Sequence, residues 1–163
     1  MIHFKPLITL KKGEILNTLQ MIYSEYKEIN ISQYLEWETS WKAYDEFVFN
    51  HPDTVGRAGF TTFYNNTFVG FCSWDPRKAP DEVIVGHNGI IPQFRGNGFG
   101  VRQINEMIER FNEKRFKKVV VWTGGNDFFA PARKMYSKSG FIEAGKKTEK
   151  GMACIYYEFI CKY

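Results

Sequence analysis

The run Gln93-Phe94-Arg95-Gly96-Asn97-Gly98-Phe99-Gly100 joins an apolar, strand-like stretch ending at Pro92 to a stretch with helical periodicity. Three glycines at every second position remove Cβ atoms, permit positive φ, and let successive backbone N–H groups face one ligand at a helix N-terminus. The order strand, glycine loop, helix is the strongest constraint on the fold, and it makes the loop an anion cradle suited to a diphosphate. A flexible glycine turn is the plainer alternative, but such a turn seldom needs three glycines and an arginine at this junction. A Walker-type loop would continue with Lys and a hydroxyl residue, whereas Gly100 is followed by Val101-Arg102-Gln103. A dinucleotide fingerprint needs a different glycine spacing and an acidic residue at the end of the next strand, and the run 119–123 ends without one.

Periodicity places the remaining elements. A strand is expected near 2–5 and helices near 14–27 and 32–49, with Leu16, Leu19, Ile22, Tyr23 and Tyr26 on one helical face. Strands at 60–64 and 67–74 flank Asn65-Asn66, residues that tolerate positive φ and favour a tight hairpin. A loop at 75–81 leads into a strand from Val83. After the glycines, Val101, Ile104, Met107, Ile108 and Phe111 mark the apolar face of a third helix. A strand at Val119, a short helix from about Ala130, a strand at Phe141, a turn at Lys150-Gly151 and a last strand from Met152 complete an α/β (α+β) pattern. At 163 residues, with 44% hydrophobic and 17% aromatic residues, residues 1–163 are expected to form a single domain with one core.

Several function classes are disfavoured. There is no secretory h-region and no apolar run of membrane-spanning length, so a soluble, cytoplasmic protein without membrane contact is expected. Cys72, Cys154 and Cys161 lie in apolar segments and read as reduced core residues, not as a disulfide frame or metal site. The net charge of +4 is scattered, with clusters at 115–118 and 146–147 flanking strands, so a solvated face is expected and no nucleic-acid partner.

The loop resembles the R-x-x-G-x-G signature of the GCN5-related N-acetyltransferases (GNAT), read as Arg95, Gly98 and Gly100. A second motif of that family, an apolar residue and Tyr at a helix end followed by a turn and Gly-Phe, is matched by Met135-Tyr136 and Gly140-Phe141. The resemblance covers about 83–141. It implies a mixed central sheet of about seven strands flanked by about four helices and splayed between the fourth and fifth strands. It also implies acetyl transfer from acetyl coenzyme A, as cosubstrate and without a metal, to a primary amine of a small molecule or peptide. Arg95, Gly96, Asn97, Gly98, Phe99 and Gly100 would hold the pyrophosphate, and the backbone of Asn88, Gly89 and Ile90 would pair with the pantetheine arm as an added strand does. Asn126 would take over a coenzyme contact, because the usual Asn seven residues before the Tyr is Phe129 here; its plain role is a helix cap. A homodimer is compatible with the resemblance.

Two proton transfers need residues. An alkylammonium has a pKa of ~10.4 and must lose a proton before nitrogen attacks. His87 and Glu82 are the candidates, with an in-sheet histidine and a solvated strand-entry residue as their plain roles. The carboxylate that some relatives carry at the end of the following strand is replaced by Gly124. The leaving thiolate needs an acid, and Tyr136 matches the family's, against a plain role as a packed ring. Trp74, Asp75 and Trp122, near strand ends, are candidates for lining the acceptor site. The aromatic and acidic residues of the first two helices read mostly as core and solvated face. The competing reading is a noncatalytic coenzyme A sensor of the same fold.

Overall fold

In the computed structural model, which describes residues 1–163, Asn65 and Asn66 adopt φ of 46° and 66°. They turn the chain between β2 (Gly59–Tyr64) and β3 (Thr67–Asp75), as their tolerance of the left-handed region predicts. Lys150 and Gly151, with φ of 50° and 78°, do the same between β6 (Ile142–Glu149) and β7 (Met152–Ile160). With β1 (Ile2–Pro6), β4 (Glu82–Ile90) and β5 (Lys118–Gly124), these strands form a seven-stranded mixed sheet of order β1-β2-β3-β4-β5-β7-β6. The parallel ladder of β4 with β5 covers Glu82–Ile84 against Lys118–Val120, and both strands run on beyond it, the splay expected of this sheet.

The chain divides into two compact units, residues 1–73 with 87–99 and residues 74–86 with 100–163. In the first, α1 (Glu14–Ile22), α2 (Ser24–Ile29) and α3 (Ile31–Asn50) follow one another, and α1 and α3 pack Leu19, Trp41 and Val48 with Leu7 and Phe71 in a buried cluster. The single helix expected over 14–27 is two, broken at Tyr23 (φ −105°, ψ 15°). Tyr26 and Lys27 both donate to the Tyr23 carbonyl, so the Ile22 carbonyl is left outside the helical ladder. The start of α1 is closed from α3: the buried Asp45 carboxylate accepts from the N–H of Gly13 at 2.8 Å and of Leu16 at 3.1 Å, where a helix leaves donors unmet. Tyr23 stacks on Trp41 and Tyr26 on Trp37, so these aromatics serve packing as the plain reading had it.

The second unit holds nearly all of α4 (Phe99–Glu113), then β5, α5 (Ala130–Lys138), β6 and β7. Ile104, Met107 and Phe111 form the buried stripe of α4, but Val101 faces solvent and Gln103 is buried in its place. All three cysteines are buried and unbridged. The basic clusters are matched by acids: Lys117 pairs with Asp81, Lys118 with Glu82 and Glu158, Lys146 with Glu143, and Lys147 with Glu149. No helix is long and apolar enough to cross a membrane.

Candidate functional site

The glycine loop is set by local bonds. A single helical turn, Pro92–Phe94, ends with Arg95 N–H donating to the Pro92 carbonyl at 3.1 Å. Gly96 and Gly98 then take φ of 80° and 78°. A Cβ at either would meet no atom within 4 Å, so the volume above both is open. The Asn97 amide donates back to the Phe94 and Arg95 carbonyls at 3.1 and 3.2 Å, tying down those oxygens. The N–H groups of Gly96, Asn97 and Gly98 reach no acceptor in the chain. Phe99 anchors the far end of the loop in a buried cluster with Val69 and Ile90.

Arg95 points elsewhere. Its Nε donates to the Ile90 carbonyl at 3.2 Å and its Nη2 to the Ile22 carbonyl at 2.8 Å. Beside it on β4, Gly89 admits the end of α1: a Cβ there would lie 2.6 Å from Ile22 Cδ1. Asn88, Gly89 and Ile90 thus form the last turn of pleat before the loop, with Ile91 N–H continuing to the Val69 carbonyl.

His87 precedes them. Its backbone N–H donates to Ser73 Oγ at 3.1 Å, and its ring lies 4.8 Å from that of Tyr44 and 6.2 Å from that of Phe71. By area the residue is only half-buried, yet the ring itself is enclosed by aromatic surface, and this desolvation lowers its pKa to about 4. The ring is therefore neutral near pH 7, not poised at the ordinary 6.5 expected of a histidine base. Tyr44, which the sequence offered no reason to pair with His87, has a buried hydroxyl without a hydrogen-bond partner. Burial pushes its pKa up to about 12; the neighbouring Ser73 hydroxyl opposes this without meeting hydrogen-bond geometry.

In the second unit, Tyr136 is buried near the end of α5, edge-on to Phe141 at 5.3 Å and 6.4 Å from the Tyr157 ring. Gly140, at φ 92°, makes the turn between them, and Phe141 N–H returns to the Tyr136 carbonyl at 3.0 Å. Asn126 is exposed, and its side chain caps nothing. Its carbonyl, with that of Gly124, is held by Arg133 Nη1 at 2.8 and 2.6 Å. The Phe129 ring lies on Gly124, where a Cβ would be 2.2 Å from Cδ2. The absent carboxylate and the absent Asn are thus one packing arrangement. Gly100 lies in the first turn of α4.

Three expected residues are engaged by partners of their own. Glu82 opens β4 while the loop follows the end of that strand, roughly 25 Å of extended chain later. Hydrogen bonding to Lys118, helped by Lys78, holds its carboxyl below the usual range, so it is a weaker base than an ordinary glutamate. Trp74 is core: it is 7% exposed and packs edge-on against Phe111 at 4.9 Å. Asp75 is clamped by Arg77, whose Nε and Nη2 donate to its carboxylate at 2.9 and 2.6 Å, which also lowers its pKa. Both residues flank the loop that enters β4 at Glu82. Trp122 is exposed, stacked on Tyr156 at 4.8 Å, with Lys147 Nζ 4.3 Å from its ring centroid.

A strand, a loop with three N–H groups that reach no acceptor in the chain, and a helix beginning behind them make an α/β arrangement of the kind that commonly holds anions. The comparisons with known proteins give the class its name. The family model described as the acetyltransferase (GNAT) family matches residues 17–141, and the chain belongs to that family. The fold is similar over 98% of this chain and 99% of the other to a protein described as a GNAT-family acetyltransferase from Desulfovibrio desulfuricans (TM-score 0.76, 14% identity). It is also similar to the ribosomal-protein-S18-alanine N-acetyltransferase from Escherichia coli (TM-score 0.66, 15% identity, 100% and 96% covered). Over 64% of this chain and 62% of the other it resembles a protein described as a streptothricin acetyltransferase from Bacillus anthracis, solved with acetyl coenzyme A (TM-score 0.56, 18% identity). At these identities the likeness is one of fold. A search of curated proteins returns no significant match.

Proposed function

We propose that this acetyltransferase moves an acetyl group from acetyl coenzyme A to a primary amine of a small molecule or peptide by direct attack on the thioester. The observation that carries the reading is the loop at Gly96–Gly98, whose three N–H groups have no acceptor and whose glycines leave the space above them open. A pyrophosphate matches that donor set, with the backbone of Arg95, Phe99 and Gly100 framing it. Asn88, Gly89 and Ile90 would pair with the pantetheine arm, and the unpartnered amide of Asn126 would contact the coenzyme.

In the reaction, amine nitrogen bonds to the carbonyl carbon, the carbon–sulfur bond breaks, nitrogen loses a proton and the thiolate gains one. For the latter, a phenol, ordinarily at ~10, can protonate a thiolate whose conjugate acid is ordinarily at ~8.5, and Tyr136 is proposed to do so. For the former, a His87 whose pKa is about 4 is a feeble base, and Glu82 is tied to two lysines. Acceptors that already carry a neutral amine are therefore favoured. An α-amino group (~7.7–8.0) suits this site better than an alkylammonium at ~10.4.

The test is thermal stabilisation by coenzyme A, followed by thiol release from acetyl coenzyme A against peptides with free α-amines, lysine side-chain amines and small alkylamines. Coenzyme A at 100 times its Kd should add ~2.7 kcal/mol, or roughly 5–10 °C in Tm. Thiol release should be fastest with the α-amines. Stabilisation without thiol release from any acceptor would identify a sensor; no stabilisation would remove the cradle itself.

A further inference from the structure

The break at Tyr23 leaves a carbonyl without its helical partner, and the residue that takes it lies 73 positions away in the glycine loop. Arg95 Nη2 donates to the Ile22 carbonyl at 2.8 Å while Nε donates to the Ile90 carbonyl at 3.2 Å. One planar guanidinium thus bridges the end of α1 and the end of β4, a task its fork geometry suits and a point charge does not. The same corner is close-packed: the Ile22 side chain occupies the room left by the missing Cβ of Gly89. The Tyr23 ring continues the contact into α3 by stacking on Trp41 at 5.1 Å. Nε and Nη2 each hold a carbonyl, so two of the guanidinium's three nitrogens are bonded at the α1–α2 corner, while the loop's N–H groups at Gly96–Gly98 reach no acceptor in the chain.

We infer that Arg95 is a positioning residue: it fastens the glycine loop to the α1–α2 corner, so that an occupant ordering the loop also orders residues 22–27. The second half of this inference rests on the coenzyme reading of the loop; the first does not.

The test is amide hydrogen exchange on the full chain, with and without coenzyme A, for wild type, Arg95→Met and Arg95→Lys. The reporters are the amides of Tyr23, Tyr26 and Lys27, which are hydrogen-bonded at the break to the Leu19 and Tyr23 carbonyls. Without ligand, exchange at these amides should rise at least ~10-fold in Arg95→Met, as expected for losing hydrogen bonds from a charged donor. Arg95→Lys, which can reach one carbonyl but not both, should fall between. Coenzyme A should slow the same amides in wild type, and this protection should be lost in Arg95→Met. Unchanged ligand-free exchange in a folded Arg95→Met, or wild-type behaviour in Arg95→Lys, overturns the clip. Loss of coenzyme A affinity in Arg95→Met with the corner unaltered would mean instead that the charge serves the phosphates, which also overturns it. Should coenzyme A leave wild-type Tm unchanged, the coenzyme reading and the coupling fail together, while the ligand-free arm still decides the clip.

Discussion

Replacing His87 by Gln should remove a specific part of the protein's pH dependence. The ring is enclosed by Tyr44 and Phe71, and desolvation lowers its pKa to about 4. In the unfolded chain the same ring titrates at ~6.5. Between these values the unfolded state takes up a proton that the folded state refuses, so stability rises with pH across the window and is fully present only above ~6.5. Linkage over the 2.5-unit gap gives a penalty of ~2 kcal/mol at pH 5 and ~3 kcal/mol at pH 4, against ~0.2 kcal/mol at pH 7. For a chain of this length that corresponds to roughly 4–8 °C in Tm between pH 7 and 5 beyond what the carboxylates contribute. Urea denaturation of wild type and His87→Gln at half-unit steps from pH 4.5 to 7.5 measures it. Every other titrating group is common to both proteins, so the difference between the two stability curves isolates His87. A flat difference curve, or a His87 ring signal titrating near 6.5 by NMR, would refute the enclosure argument and restore His87 as a base poised for neutral pH.

Four further substitutions carry expected outcomes. Gly98→Ala should abolish coenzyme A stabilisation because the new methyl enters the open volume above the loop. It should also cost the free protein ~1–2 kcal/mol, since φ of 78° is strained for any side chain; retained stabilisation would count against the cradle. Tyr136→Phe should lower kcat ~10²–10⁴-fold with coenzyme A affinity nearly unchanged, and a wild-type kcat would leave the ring a packing role only. Trp74→Ala should destabilise by ~3–5 kcal/mol by emptying its place against Phe111, while Asp75→Asn should leave acceptor KM unaltered; a large KM change in the latter would return it to the acceptor site.

What could be read in the sequence was what is encoded locally. Gly96 and Gly98 announce positive φ by residue type, Asn65-Asn66 announce their hairpin, and the stripe Ile104, Met107, Phe111 announces a buried helix face. What could not be read depends on partners distant in sequence. The helical pattern through 14–27 is unbroken, and only Arg95, in the loop that follows β4, shows where the freed Ile22 carbonyl goes. The neutrality of His87 depends on Tyr44, one aromatic among many in α3, whose orientation no periodicity encodes. The partners of Trp74 and Asp75 were hidden for the same reason: a strand end has two possible faces and two possible neighbours, and Phe111 and Arg77 hold them.

The ring of Phe129 over Gly124 constrains how this chain can change. A carboxylate at position 124 would have to enter space the ring already fills, and overpacking of that kind typically costs ~1–3 kcal/mol. Trimming Phe129 first would open a void at the same place. The two positions are therefore coupled, and a lineage that acquired or lost an acid at the end of β5 had to cross a less stable single variant or change both sites together. The order of substitution is itself constrained: loss of the ring before gain of the charge leaves an uncharged gap, which a protein tolerates better than an acid driven into packed aromatic carbon.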